Sequence, residues 1–478
     1  MRQIWTAEPA REVPVKVWIK HAADMDCGAS PGSSGEGLDI ICGRYGLQSL
    51  PGKKVQGGRL FMKMEKKRWL ILTASCLINL CIGSLYAWSV FAVPMAEYFN
   101  SVNGTSLTAA DLAAVFTLAN SVGPVTLISG GFINDRLGPK WVVFAGGIVF
   151  GAGMLLSGMA TGLPLLFIGY GLGCGLGMGL VYGCTISNSV KFFPDKRGLI
   201  GGIATASYGI SSVLIPPVAN ALIESQGVQA AFRILGTAFI VIICGSAFVI
   251  EKCPQGYVPE GYVPKAAAAD TALAGKAADK DWKQMLRTPV FYVMILMLTC
   301  GAVFGLMTIS QVSPIAQNMI GMSVSAATAA VSVLALFNAA GRVLAGFVSD
   351  VIGRINTLAI MLVLGMAGLL LLCMSGEGDV VKFYIGISVA GLCFGSFMGV
   401  FPGFTADEFG AKNSSVNYGI MFIGFAAAGY IGPTIMSSIY SRTSSYIPAF
   451  WFAIGLAGAG LVLSFVYRKL SAGKQTEN

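Results

Sequence analysis

Arg342 lies where a charge is costly. It sits in the stretch 338–354, NAAGRVLAGFVSDVIGR, inside an apolar run that begins near Val324. A guanidinium deep in a hydrocarbon layer costs roughly 3 kcal/mol on insertion scales, so such a residue faces a cavity and has a partner. Arg342 is the only basic residue placed deep in an apolar run, and no carboxylate lies at similar depth to pair with it. The simplest missing partner is a bound anion, and a guanidinium grips a carboxylate through two parallel hydrogen bonds. Asn338, one helical turn earlier, shares the face of Arg342 and extends its donor surface. Tyr182 brings a hydroxyl to the middle of another run, where it needs a partner that a carboxylate would supply. The competing reading of Arg342 is structural, with helix carbonyls or a water chain holding the charge. Tyr86, Trp88, Tyr208, Phe304, Phe394, Phe397, Phe401, Phe422 and Phe425 are further aromatics deep in apolar runs. Any one of them alone is more often core than ligand-lining, and of these Tyr86, Phe397, Phe401 and Phe425 are the candidates for the substrate site.

A second constellation occurs twice. Gly131 to Lys140 reads GFINDRLGPK, and Gly346 to Arg354 reads GFVSDVIGR, at an offset of 215. Gly131 and Gly346 would allow two helices to approach closely. Asp135 can meet a helix N-terminus or a basic group across the inner face, and Asp350 stands in its place in the second copy; Arg136, Gly138, Gly353 and Arg354 complete the two candidate gating motifs. Contacts of this kind form when one side of a protein closes and break when it opens, which makes a gate. The plainer reading is a charged turn, but two copies in register argue against it.

These residues need elements to carry them. Of 478 residues, 55% are hydrophobic and 12% charged, with mean hydropathy +0.71. Soluble domains carry about 25% charged residues, so most of this chain is lipid-embedded. Twelve apolar runs approach the ~20 residues that a spanning helix needs. They fall near 69–93, 111–133, 141–159, 163–190, 199–222, 231–250, 289–311, 324–348, 356–374, 381–402, 415–440 and 448–467. With the N-terminus inside, the loops on that side hold 20 Lys and Arg and those on the other side hold 3. That asymmetry places both termini in the cytoplasm. It also accounts for the net charge of +9 without a nucleic-acid partner.

The fold class expected is an all-α membrane protein of twelve transmembrane helices in two six-helix halves. The halves are 65–250 and 289–470, joined by a cytoplasmic central loop, 251–288, and followed by a cytoplasmic tail, 471–478. Residues 1–61 are rich in Gly, Ser, Pro and charge. They read as a disordered extension, with Met62 or Met64 as an alternative start. The glycines of the fourth run (Gly175, Gly179, Gly183) and of the tenth (Gly391, Gly395, Gly399, Gly403) repeat every four residues, as do smooth faces for close helix packing. The two ladders stand at an offset of 216, and so do Pro217 and Pro433. The 11 cysteines show no CxxC spacing, and the one histidine, His21, precedes the first run. No metal site, cofactor, phosphate-cradling loop or nucleophile–base pair is indicated, so an enzyme is the least expected class.

The loop GxxxDRxGxK resembles the signature of the major facilitator superfamily, whose plan is two six-helix repeats. GSLYAWSVFAVP in the first run, GxGxxY and KFFPDKRG around the fourth, NAAGRVLAGFVSDVIGR in the eighth and NYGIMFIGF in the eleventh together resemble the oxalate/formate antiporter family, close to the monocarboxylate transporters. The resemblance spans about 65–470. It implies import or exchange of small carboxylates by alternating access, with Arg342 on the carboxylate, Asn338 beside it and Tyr182 adding a hydrogen bond. It also implies that Phe397, Phe401 and Phe425 line the site. Two departures bear on substrate and coupling. The oxalate exchangers carry a lysine in the eleventh helix at Phe425 or a close neighbour of it, and no lysine lies between Lys412 and Lys469. A single cation favours a monoanion such as lactate, pyruvate or formate over a dicarboxylate. Animal relatives have an aspartate at the position of Asn338 and a first-helix lysine for proton coupling, both missing here. The expected partners are a small carboxylate and membrane lipid, and the chain reads as a monomeric multi-pass protein of the plasma (inner) membrane.

Overall fold

The computed structural model describes residues 57–109, 111–254, 256–259, 262 and 279–476. Among the described residues, twelve helices are long and apolar enough to cross a membrane. They are α1 (Met64–Asn103), α2 (Ala113–Leu137), α3 (Pro139–Ser157), α4 (Leu163–Phe192), α5 (Arg197–Gln226) and α6 (Val228–Ala247), then α7 (Pro289–Asn318), α8 (Val324–Ile352), α9 (Arg354–Cys373), α10 (Val380–Phe409), α11 (Ser414–Thr443) and α12 (Ile447–Ser471). The described residues from 61 onward form one compact unit and hold no strand.

Most of the helices outrun their apolar runs, because polar ends continue the backbone ladder beyond the hydrophobic stretch, while α2, α3, α6 and α9 are shifted against theirs by up to four residues. Of the expected disordered segment 1–61, residues 1–56 lie outside the described residues, and 57–61 are helical. The expected tail is likewise helical through Thr476. The central loop contains a short helix, Trp282–Leu286, started by a capping box in which the Asp281 carboxylate accepts from Gln284 N while the Gln284 side chain accepts from Asp281 N.

Both glycine ladders are packing faces. In α4, Gly175 and Gly179 lie against the main chain of Ala119 and Gly123 in α2. In α10, Gly391, Gly395 and Gly399 meet the carbonyls of Leu334, Asn338 and Arg342. Two rows of i, i+4 positions thus interlock, and a methyl group on any of these three glycines would strike α8 backbone. Gly202 of α5 packs on the Arg342 carbonyl from the other side. The backbone of Arg342 is clasped between α5 of one half and α10 of the other, which fixes where its side chain begins.

Candidate substrate site and gate

The Arg342 side chain is only 3% exposed. Its Nη1 donates to the main-chain carbonyl of Thr205 in α5 at 2.7 Å, and its Nε donates to Asn338 Oδ1 at 3.2 Å. Both partners are neutral. Asn338 therefore accepts from Arg342 and sets the tilt of its guanidinium instead of presenting a second donor, and it stands outside the cavity lining. The structural reading of Arg342 is thus partly met by one helix carbonyl, but no carboxylate neutralises the charge among the described residues.

Arg342 faces a cavity of about 580 Å³ between the halves, and among the described residues it is the only charged one in the lining. The first half supplies Tyr86, Asn120, Leu127, Met178, Tyr182 and Tyr208, and the second supplies Ser310, Met398, Phe422 and Phe425. Rings surround the guanidinium. Tyr86 packs edge-on to Tyr208 at 5.3 Å, Tyr182 to Tyr208 at 4.9 Å, and Phe422 stacks on Phe425 at 4.6 Å. The Tyr182 hydroxyl faces both Arg342 and Tyr418. A ligand here would meet one cation, several hydroxyls and a largely apolar wall. Leu127, the repeat counterpart of Arg342 at offset 215, lines the same cavity. The pseudo-symmetric site thus has a charged side and an apolar side.

Five of the sequence-predicted residues meet here: Arg342, Tyr182, Tyr86 and Phe425 in the wall, with Asn338 behind Arg342. Phe397 and Phe401 do not. Met398 of α10 faces the cavity, and Phe397 lies about 100° around the helix from it. Phe397 packs instead on Gly301 of α7, parallel to Phe401 at 6.2 Å, and both rings are fully buried. Tyr208 and Phe422 carried no sequence signal that separates a cavity-facing ring from a packed one. Tyr418 stood within the NYG of the eleventh run, unweighted.

Thr117 and Ser121 line the cavity and are exposed in the first turns of α2, at the end remote from the loop motif, while the exposed Tyr430 lines it near the middle of α11. At the motif end the halves are joined. Asp135 accepts from Lys191 Nζ at 2.6 Å and from Val416 N, in the first turn of α11, at 3.1 Å. Asn134 donates to Ser415 Oγ at 2.6 Å. In the second copy, Asp350 accepts from Gly198 N and Leu199 N, the first turn of α5, at 2.9 and 2.8 Å, and pairs with Arg354 at 2.6 Å. Each aspartate therefore crosses to the other half and satisfies orphan amides where the helix dipole is positive. Arg354 also pairs with Asp407, which pairs with Arg197 at 2.7 Å. Gly131 abuts the Ser415 backbone and Gly346 that of Gly198, so both motif glycines permit the contact expected of them. Gly138 and Gly353 have φ of +98° and +90°, a region that L residues rarely adopt. Arg136 is exposed and pairs with no carboxylate among the described residues, so it is not part of this closure.

Comparison with known proteins agrees with this architecture. The profile of the Major Facilitator Superfamily matches residues 73–429 and 317–478. The chain is 30% identical over 404 residues to the oxalate:formate antiporter of Oxalobacter formigenes, covering 83% of this chain and 91% of that protein. It is 22% identical over 420 residues to human monocarboxylate transporter 12, covering 83% and 79%. The crystal structure of the transporter FucP in its outward conformation superposes with a TM-score of 0.63 at 14% identity, over 84% of this chain and 99% of that one. Twelve helices in two interlocked repeats, the duplicated loop motif and these matches agree: the chain belongs to the Major Facilitator Superfamily of transporters, among the relatives of the oxalate:formate antiporter.

Proposed function

We propose that the protein moves a small monocarboxylate across the plasma (inner) membrane by alternating access, with both termini in the cytoplasm. The observation that carries this reading is Arg342: a buried guanidinium that, among the described residues, has only neutral partners and faces a cavity with no other charge. A carboxylate entering from the open end would find a fork-shaped cation, the Tyr182 hydroxyl beside it and an apolar wall opposite. The Lys and Arg bias of the motif-side loops supports the orientation, and the structure then corresponds to a carrier closed to the cytoplasm.

The relative from Oxalobacter formigenes exchanges oxalate for formate by its name, so the charge of the substrate needs its own argument. Phe425 stands in the cavity wall stacked on Phe422, and no second cation reaches the cavity among the described residues. One guanidinium neutralises one carboxylate and leaves the second of a dicarboxylate unpaired in an apolar site, which is costly. A monocarboxylate of the lactate, pyruvate or formate type fits this balance.

Purified protein in liposomes loaded with unlabelled lactate, pyruvate, formate or oxalate tests the reading, with labelled lactate and labelled oxalate outside. Lactate entering against internal monocarboxylate, with oxalate excluded, supports it. Oxalate–formate exchange would replace it with the dicarboxylate reading. Binding of lactate without counterflow would make the protein a carboxylate sensor.

A further inference from the structure

A second cavity, of about 510 Å³, lies at the closed motif end and is not used by the reading above. Both halves line it. The first half and the start of the central loop supply Asp135, Arg136, Lys191, Arg197 and Lys252, and the second half with the end of the loop supplies Asp279 and Lys412. Of its five cations, two are neutralised by carboxylates: Lys191 by Asp135, and Arg197 by Asp407. Lys252 Nζ donates only to the main-chain carbonyls of Asp135 and Arg136, at 3.0 and 2.8 Å. Arg136 and Lys412 are exposed, and neither side chain forms an ion pair among the described residues. Against these three cations the lining offers one remaining carboxylate, Asp279, whose Oδ1 accepts from Lys412 N at 3.1 Å.

A positive bias in cytoplasmic loops needs no ligand when the side chains splay into water. Here they converge on a concavity, where low-dielectric walls focus the field. Among the described lining residues, three cations and one carboxylate leave a surplus of two positive charges. A guanidinium and two ammonium groups arriving from separate elements suit a compact oxyanion of charge near −2 with several acceptor oxygens, which is the chemistry of a phosphate group.

We propose that this cavity binds a phosphate group and thereby holds the motif-side gate closed. Because the cavity is built from both halves, it exists only while they are joined there. A ligand that binds one state and not the other shifts the population toward the state it binds. The bound phosphate therefore slows transport without touching Arg342. The phosphate can belong to a soluble phosphate compound or to the headgroup of an anionic lipid, since the donors are the same.

The test uses the full chain and inorganic pyrophosphate as the soluble probe. Calorimetric titration in neutral detergent should show saturable binding, weakened at least tenfold in Lys252→Gln and in Lys412→Gln. Counterflow in phosphatidylcholine vesicles should slow when pyrophosphate is present on the motif side, and neither variant should respond. Vesicles containing phosphatidylglycerol separate the sources. If that lipid itself slows counterflow, and both substitutions relieve the slowing, the occupant is a lipid headgroup. The proposal is overturned if pyrophosphate neither binds nor slows transport and phosphatidylglycerol has no effect, or if binding is unchanged in both variants. Titration is done on protein without carboxylate, so its outcome is independent of the substrate assignment.

Discussion

Arg342 in one half donates a hydrogen bond to the carbonyl of Thr205 in the other, 2.7 Å away. The bond ties the halves together at the depth of the cavity that Arg342 lines. It orients the guanidinium without neutralising it, so the proposed carboxylate would gain the full ionic interaction.

Replacing Arg342 should therefore abolish transport while leaving the protein folded. Hydrogen bonds to charged groups contribute about 1.5–3 kcal/mol each, and two of them correspond to a loss of at least ~100-fold in carboxylate counterflow for Arg342→Ala. Arg342→Lys keeps the charge but loses the fork, and should retain weak uptake with a raised KM. Normal uptake by Arg342→Ala in liposomes would end the assignment.

The clasp around Arg342 makes a separate prediction. Gly395 of α10 packs on the Asn338 carbonyl, so Gly395→Ala forces α8 and α10 apart. Overpacking of this kind costs about 1–3 kcal/mol, and a lowered Tm in detergent should show it. Gly455→Ala in α12 is the control, because nothing lies within 4 Å of the added methyl. It should leave Tm unchanged or slightly raised.

Removing Asp135 should open the motif end. Asp135→Ala leaves Lys191 unpaired and the Val416 amide unsatisfied, and breaking a buried pair from one side costs about 3–5 kcal/mol. The population should shift toward the motif-open state, seen as faster alkylation of Cys253 by maleimide. Adding Lys191→Met to Asp135→Ala should recover part of the lost thermal stability, since no stranded charge remains.

Cys253 reports on the same region through pH. Its Sγ donates to the Lys191 carbonyl at 3.4 Å, and burial pushes its thiol up to about 12. Alkylation follows the thiolate fraction, and an ordinary thiol levels off above about 8.5. In a variant retaining Cys253 as its sole cysteine, the rate should keep climbing about tenfold per pH unit through pH 10, below the raised value of about 12. A plateau near pH 9 would show that the thiol is not shielded.

The fold was largely legible because a lipid-spanning helix must satisfy its own backbone, and that leaves a run of apolar residues in the sequence. The offset of 215 between Gly131 and Gly346 then exposed the repeat. Arg342 was legible because charge at depth is rare. The rings around it were less so. Phe397 and Met398 are neighbours in sequence, yet one is packed and the other lines the cavity, and the direction of α10 decides between them. Asn338 shows the other limit: its face was evident from i, i+4 spacing, but acceptance from Arg342 depends on where the guanidinium turns.

The neutrality of both Arg342 partners has an electrical consequence. Under the proposed function, the carrier with its site empty would reorient around an uncompensated positive charge, and with a monocarboxylate bound that charge would be balanced. Moving one charge through a full potential of 100 mV is worth about 2.3 kcal/mol, and a charge at depth feels some fraction of it. Membrane voltage should thus act on the return of the empty carrier and leave one-for-one exchange unaffected. Exchange on a polarised membrane would then need no dedicated coupling residue.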